Sequence, residues 1–166
     1  MARTFLIADL HVGHPNIIKS RPQFSSLQEH DDFMFSLLEP LTESDTLIGV
    51  GDMFLTPEAL DRFSYYPFRK KLVLGNHDTD FKVGVLDHLA VWDSIDESLK
   101  RKHYTITHRP MHPIALRGRR NVHGHQHTEI IHDERYICVS VDATDFRLVE
   151  LSEIYDGSYR TFRGKQ

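Results

Sequence analysis

The chain has 166 residues, 40% of them hydrophobic and 27% charged. That is the size and balance of one folded domain over 1–166 with a sizeable core, and it excludes a mainly disordered chain. Twenty basic residues against 24 acidic ones give a formal net charge of -4, so overall charge makes no case for non-specific nucleic-acid binding and any basic site has to be local. The single cysteine, Cys138, excludes an internal disulfide. No apolar run reaches membrane-spanning length, and the run from Phe5 to Ala8 is too short for a signal peptide. A cytoplasmic location with no membrane partner is the expectation.

Taken in chain order, residues 3–8 read as a buried strand. Residues 25–41 read as a helix, because Leu27, Phe33, Leu37, Leu38 and Leu41 recur at helical spacing behind a Ser26-x-x-Glu29 capping box. The Phe33, Leu37, Leu38 stripe is expected in the core. A strand follows over 46–50. Thr56 caps the next helix, with Pro57 at its first position. Residues 71–74 form a third strand, and a further helix falls within 81–90, weakened by Gly84. The remaining strands are expected over 104–107, 120–123, 136–141 and 146–151. In the next to last, Cys138 reads as a small buried hydrophobe. Strands alternating with helices imply an α/β fold with parallel pairing, and the strand-rich second half implies an antiparallel or mixed second sheet.

The residues just beyond these strands carry the functional signal. Asp9-Leu10-His11 follows the first strand, Gly51-Asp52 the second and Gly75-Asn76-His77-Asp78 the third. His108 follows the fourth, and His123-Gly124-His125-Gln126-His127 closes the fifth. Carboxylate, amide oxygen and imidazole suit hard or borderline divalent metals, and ligands in such folds sit beyond the carboxyl ends of strands. In extended backbone, residues two apart face the same way, so Asp9 with His11, and His125 with His127, could each grip one ion. Glycines before Asp52, Asn76 and His125 permit the tight turns such a site needs. Central Asp52 is the natural bridge between two ions. Each short motif alone is common by chance; five in order at five strand ends are not.

The set Asp-x-His, Gly-Asp, Gly-Asn-His-Asp, His and Gly-His-x-His, spanning Asp9 to His127, resembles the calcineurin-like metallophosphoesterase superfamily. The stretches from Ala8 to Ile18 and from Val141 to Arg147 are similar to its small, capless bacterial and phage-type branch. The resemblance implies a two-sheet αββα sandwich built from βαβ units. It implies that Asp9, His11 and His127 bind one ion, that Asn76, His108 and His125 bind a second, and that Asp52 bridges them. His77 would be the residue off the metals that meets the substrate, and His123 would pack or support. Two divalent ions are implied, Mn²⁺ first, with Fe, Zn or Ni also compatible.

The activity implied is that of a phosphodiesterase acting on small phosphodiesters or nucleotide cyclic phosphates, with a water shared by the two ions as nucleophile. Nuclease or RNA-end-healing activity on nucleic-acid ends, phosphomonoesterase activity and a non-catalytic interaction scaffold are the alternatives. After Asp52 the chain runs Met53-Phe54-Leu55-Thr56 and lacks the Asp-Arg that phosphoprotein phosphatases of the superfamily carry there, which disfavours that activity. His14, Asn16 and Arg109 are candidates for substrate contact. Arg117, Arg119 and Arg120 read as a solvated loop, with guidance of a polyanionic substrate as the alternative.

Overall fold

The structure, a computed structural model, describes residues 2–161. Nine strands form two sheets. The larger has the order β4-β3-β2-β1-β9, from β1 (Thr4–Ile7), β2 (Thr46–Gly49), β3 (Arg69–Val73), β4 (Ser94–Asp96) and β9 (Val149–Glu150). Its first four strands are parallel and β9 is antiparallel to β1. The smaller has the order β5-β6-β7-β8, from β5 (Ser98–Lys100), β6 (Tyr104–Thr107), β7 (Arg120–His123) and β8 (Tyr136–Cys138). It is mixed, with only β5 antiparallel.

Alternation along the strands builds the layers. Leu6, Ala8, Ile48, Val50 and Val73 point from the larger sheet toward Ile106, Val122 and Ile137 of the smaller, making the core between sheets. Ile7, Leu47 and Leu72 point the other way, against α2 (Leu27–Ser36), α3 (Pro57–Ser64) and α4 (Val85–Leu89). Among them Phe54, Phe63 and Trp92 stack, with Phe54 and Phe63 ring centroids 4.3 Å apart. Beyond the smaller sheet the outer layer is thin. The segment 109–119 lies there, bearing the 3-10 turn Pro113–Ala115 and anchored by the Met111 amide on Asn121 Oδ1 (2.8 Å) and the Tyr136 hydroxyl on Met111 O (2.6 Å). Helix α1 (Ile17–Ser20) follows the first strand, and α5 (Leu151–Asp156) packs on β1 and β9. The fold is thus the α/β two-sheet sandwich.

Several local expectations change. Helix α2 stops at Ser36, and Phe33 is 39% exposed, lying over Phe24 and Phe146 instead of in the core; Met34, Phe35 and Leu38 take the buried stripe. Ser26 Oγ does accept from the Glu29 amide (3.1 Å), but the Glu29 carboxylate reaches Ser25, not Ser26. Thr56 caps α3 as expected, while Gly84 is the N-cap of α4 and leaves the helix interior intact. The strand expected over 146–151 shrinks to two residues because Asp145 and Phe146 turn the chain at positive φ and Leu151 begins α5.

Candidate metal centre

Parallel pairing carries the carboxyl ends of β1, β2 and β3 to one edge, and the same pairing aligns β6, β7 and β8. Backbone bonds beyond the strands knit the loops there: Asp9 N to Gly51 O (3.0 Å), His11 N to Asp52 O (2.9 Å), Gly124 N to His108 O (3.0 Å). A bridge pairing Ala8 with Ser140 links the two sheets. The consequence is two groups of donors. Asp9, His11 and His127 offer atoms within 4.8 Å of one another, as do Asp52, His108 and His125. Asn76 joins the second group, with Oδ1 3.2 Å from His108 Nε2. Asp52 Oδ2 lies between the groups, 3.3 Å from His108 Nε2 and 3.7 Å from His11 Nε2.

The backbone adopts an unusual form to achieve this. Asp9, His11, Asp52, His125 and His127 all have φ between 50° and 66°, a region that costs a non-glycine residue about 1–2 kcal/mol. The extended backbone assumed for the two Asp/His-x-His pairs is therefore not present, and His125 and His127 diverge into different groups. Gly51 (φ +90) makes the turn before Asp52, whereas Gly75 serves by its size: a Cβ there would sit 2.2 Å from Asp52 Oδ1.

Hydrogen bonds aim the donors. His108 Nδ1 donates to Val50 O (2.9 Å) and His127 Nδ1 to Asp142 Oδ2 (2.7 Å), so each turns Nε2 inward. The His125 amide donates to Asp9 Oδ2 (2.8 Å) and the His77 amide to Asp52 Oδ1 (2.8 Å). Asp9 Oδ1 and both ring nitrogens of His11 are buried with no hydrogen-bond partner. Orphaned buried donors and acceptors are costly unless a group from outside the chain satisfies them, and a carboxylate oxygen with imidazole nitrogens is what a divalent cation accepts as ligands.

The electrostatics agree. Burial pushes the Asp9 carboxyl up to about 6, against the pull of His108 and His127. Burial lowers the His11 ring to about 3. Burial is the largest influence on Asp52 and would raise it, but the bond to His108, the charges of His108 and His11 and the His77 amide together outweigh it and hold the carboxyl at about 2. Burial lowers His108 less than Asp52 and Asp9 raise it, and the ring stands at about 9. Two buried carboxylates here need nearby positive charge.

Asp142, Arg21 and Asp78 support the site in roles that the sequence motifs do not assign to them. Asp142 orients His127 and is itself gripped by buried Arg21 through Nε (3.0 Å) and a terminal nitrogen (2.8 Å). Arg21 also donates to Asp9 O and Leu10 O and meets buried His30, which binds Asp31. Asp78, fully buried, accepts from the amides of Asp52, Met53 and Gly75 and so ties two ligand loops together. Asp142 lies just past a strand end, so the rule that exposed the other motifs could have found it; no local signal marks Arg21, whose carboxylate partner is 121 residues away.

His77 lines a cleft of about 610 Å³ together with His11, His14, Asn16, His125 and His127. Its Nδ1 donates to Asp80 Oδ1 (3.2 Å). The His14 ring stacks on Phe81 at 5.5 Å and accepts from the Asn16 amide (3.3 Å). Asn16 is the N-cap of α1, yet its side chain makes no capping bond. Arg109 is exposed and lies on a different groove, beside His108 and Asn76. His123 is buried, with Nδ1 on Gly124 O (2.9 Å). No helix among the described residues is long and apolar enough to cross a membrane.

No family model matches the chain. The chain is 27% identical to the Gene 66 protein of Mycobacterium phage L5, over 94% of each sequence. Its fold matches that of a protein of unknown function from Aquifex aeolicus with a TM-score of 0.71 and 25% identity, covering 94% of this chain and 99% of that one. The nuclease MPE of Pseudomonas putida shares the fold at a TM-score of 0.52 and 19% identity, over 75% of this chain and 61% of the nuclease.

Proposed function

We propose that the chain is a dinuclear metal-dependent phosphodiesterase, a hydrolase of small phosphodiesters or nucleotide cyclic phosphates. The observation that carries this reading is the pair of donor groups with Asp52 Oδ2 between them and with buried ligand atoms of Asp9 and His11 otherwise unpartnered. In it, Asp9, His11 and His127 would hold one ion, Asn76, His108 and His125 the other, and Asp52 would serve both. The donors suit Mn²⁺, the first metal to test, and also Fe, Zn or Ni. Bound there, divalent ions supply positive charge to phosphoryl oxygens and acidify water.

The remaining work falls to side chains. Asp142 and Val50 O fix the rings of His127 and His108. Asp80 accepts from His77 Nδ1 and His77 lines the cleft, where the ring, when it carries a proton on both nitrogens, would give the Nε2 proton to the departing oxygen, help worth roughly 10²–10⁴-fold. His14 and Asn16 meet the substrate beside His77, and Arg109 holds a phosphate oxygen from the other side. The missing Asp-Arg after Asp52 favours diesters over phosphoproteins, and the fold shared with a nuclease is consistent with hydrolysis of phosphate esters.

Calorimetric titration with Mn²⁺ should saturate at two ions per chain, with Mn²⁺-dependent hydrolysis of bis-p-nitrophenyl phosphate faster than that of phosphoserine peptides. Asp52→Asn should lose both ions and most turnover. Saturation at one ion with full activity refutes the dinuclear reading, and a phosphopeptide preference refutes the diesterase assignment.

A further inference from the structure

Beside the histidine-lined cleft, a second concavity opens at the candidate centre among the described residues. A groove of about 980 Å³ begins at Gly75, Asn76 and His108 and shares no lining residue with that cleft. It passes the ends of β5 and β6 and is walled by the 109–119 segment. Its charged lining is Lys100, Arg109, Arg117 and Arg119 against Glu97 alone, in a chain whose formal net charge is -4.

Arg3, Arg21, Arg62, Arg135 and Arg147 are each paired with a carboxylate. Among the described residues, the four at the groove take part in none of the ion pairs. Between them stands apolar surface: Ile114, 83% exposed on the 3-10 turn, with Met111 beside it. The wall is anchored, since Leu116 is buried and Met111 is bonded through both its backbone groups. The structure also divides the arginine cluster of the sequence, because Arg120 lies in a separate cleft with His103, Tyr104 and Tyr155.

Unpaired cations spaced around exposed apolar surface match a chain that alternates phosphates with sugars and bases. An inorganic polyanion would use the charge and leave Ile114 and Met111 unexplained. We propose that this groove seats the strand flanking the scissile phosphodiester of a single-stranded oligonucleotide, with Lys100, Arg109, Arg117 and Arg119 on its phosphates and Ile114 and Met111 against its nucleosides. The inference rests on the phosphodiesterase reading and narrows its substrate to a strand.

The test uses the full chain with Mn²⁺ and a fluorescein-labelled dodecathymidylate whose phosphorothioate linkages keep the charge and resist hydrolysis. Binding is read by anisotropy against salt. Four phosphate contacts on a single strand give a log–log slope of about -2.8, a loss of about 50-fold between 50 and 200 mM salt. Arg117→Ala with Arg119→Ala should weaken binding and cut the slope to about -1.4, a loss of only about 7-fold over that range. The paired Lys substitutions should restore the slope, and Arg120→Ala should leave it unchanged.

Three results overturn the inference: no strand binding by the unaltered chain, an unchanged slope in the double Ala variant, or displacement of the strand by tripolyphosphate as readily as by unlabelled strand. Hydrolysis of bis-p-nitrophenyl phosphate scores the underlying reading separately. Hydrolysis without arginine-dependent strand binding sinks the inference alone. Arginine-dependent binding without hydrolysis sinks the phosphodiesterase reading and with it the placement of the strand beside a scissile phosphodiester, leaving a strand-binding groove alone.

Discussion

Asp78→Asn keeps the volume of a fully buried side chain and removes half of its accepting capacity. Asp78 Oδ2 accepts from the amides of Asp52 (3.0 Å) and Gly75 (2.7 Å), and Oδ1 accepts from Met53 (2.9 Å). The single oxygen of an amide can serve the first pair or the third donor. Serving the pair sets the new NH₂ against the Met53 amide, donor against donor. One stranded N–H costs about 1–3 kcal/mol, and each remaining bond loses roughly 0.5–1 kcal/mol of charge assistance. Removing a buried charge offsets part of this, leaving a net loss of about 2–3 kcal/mol. In a chain of this length each kcal/mol shifts Tm by about 2–4 °C, so a fall of about 4–12 °C is expected in melts followed by circular dichroism. Because the same carboxylate ties the Asp52 loop to the loop bearing Asn76, Mn²⁺ affinity measured by calorimetry should fall as well. A Tm within about 2 °C of the parent, together with unchanged Mn²⁺ affinity, would refute the view that Asp78 clamps the centre.

Asp142→Asn should weaken Mn²⁺ binding by about 10–100-fold, since the carboxylate that orients His127 Nδ1 is lost; calorimetry showing parental affinity would remove Asp142 from the support of the site. Cys138 is buried and its thiol is pushed up to about 12 by that burial, so the native chain should be inert to dithionitrobenzoate at pH 8 and release one equivalent on unfolding, and rapid native reaction would contradict the burial. Arg3 and Thr42 hold the Asp45 carboxyl well below the usual carboxylate range. Its contribution to stability is therefore complete above the unfolded value near pH 4 and is lost as pH falls through the folded one. The Tm gap between the parent and Asp45→Asn should narrow on acidification from pH 6 to pH 3, and a gap that widens would reverse the assignment.

What the sequence shows best is what its local chemistry repeats. Strands β1, β2, β3, β6 and β7 are short apolar runs, each ended by Asp, Asn or His, and both the runs and their polar ends are visible without knowing the fold. The cap at Thr56 is equally local. Strands β4 and β5, three residues each, are mostly half-buried and carry little apolar pattern, so pairing with β3 and β6 alone defines them. Phe33 fits the helical period of α2, yet the helix turns it toward Phe24 and Phe146 near the surface, because Met34 and Phe35 already fill the space against Phe54 and Tyr66.

The centre shows the same division between residue types and their placement. The residue types at the strand ends are legible; the way they are shared between two groups is not, because it depends on backbone conformation. A period-two reading of His125 and His127 assumes extended backbone, but φ values of 66° and 50° turn the two rings into different groups. Asp, Asn and His enter the left-handed region more readily than other non-glycine residues. Five such residues placed there together are held by contacts from elsewhere in the chain: Asp78 on the Asp52 amide, the His125 amide on Asp9, and Asp142 and Arg21 behind His127. The strain is local and the restraints are distant. That is why the donor types at the strand ends can be read residue by residue, whereas Asp78 and Arg21, which hold them in place, acquire their roles only once the sheets bring them together.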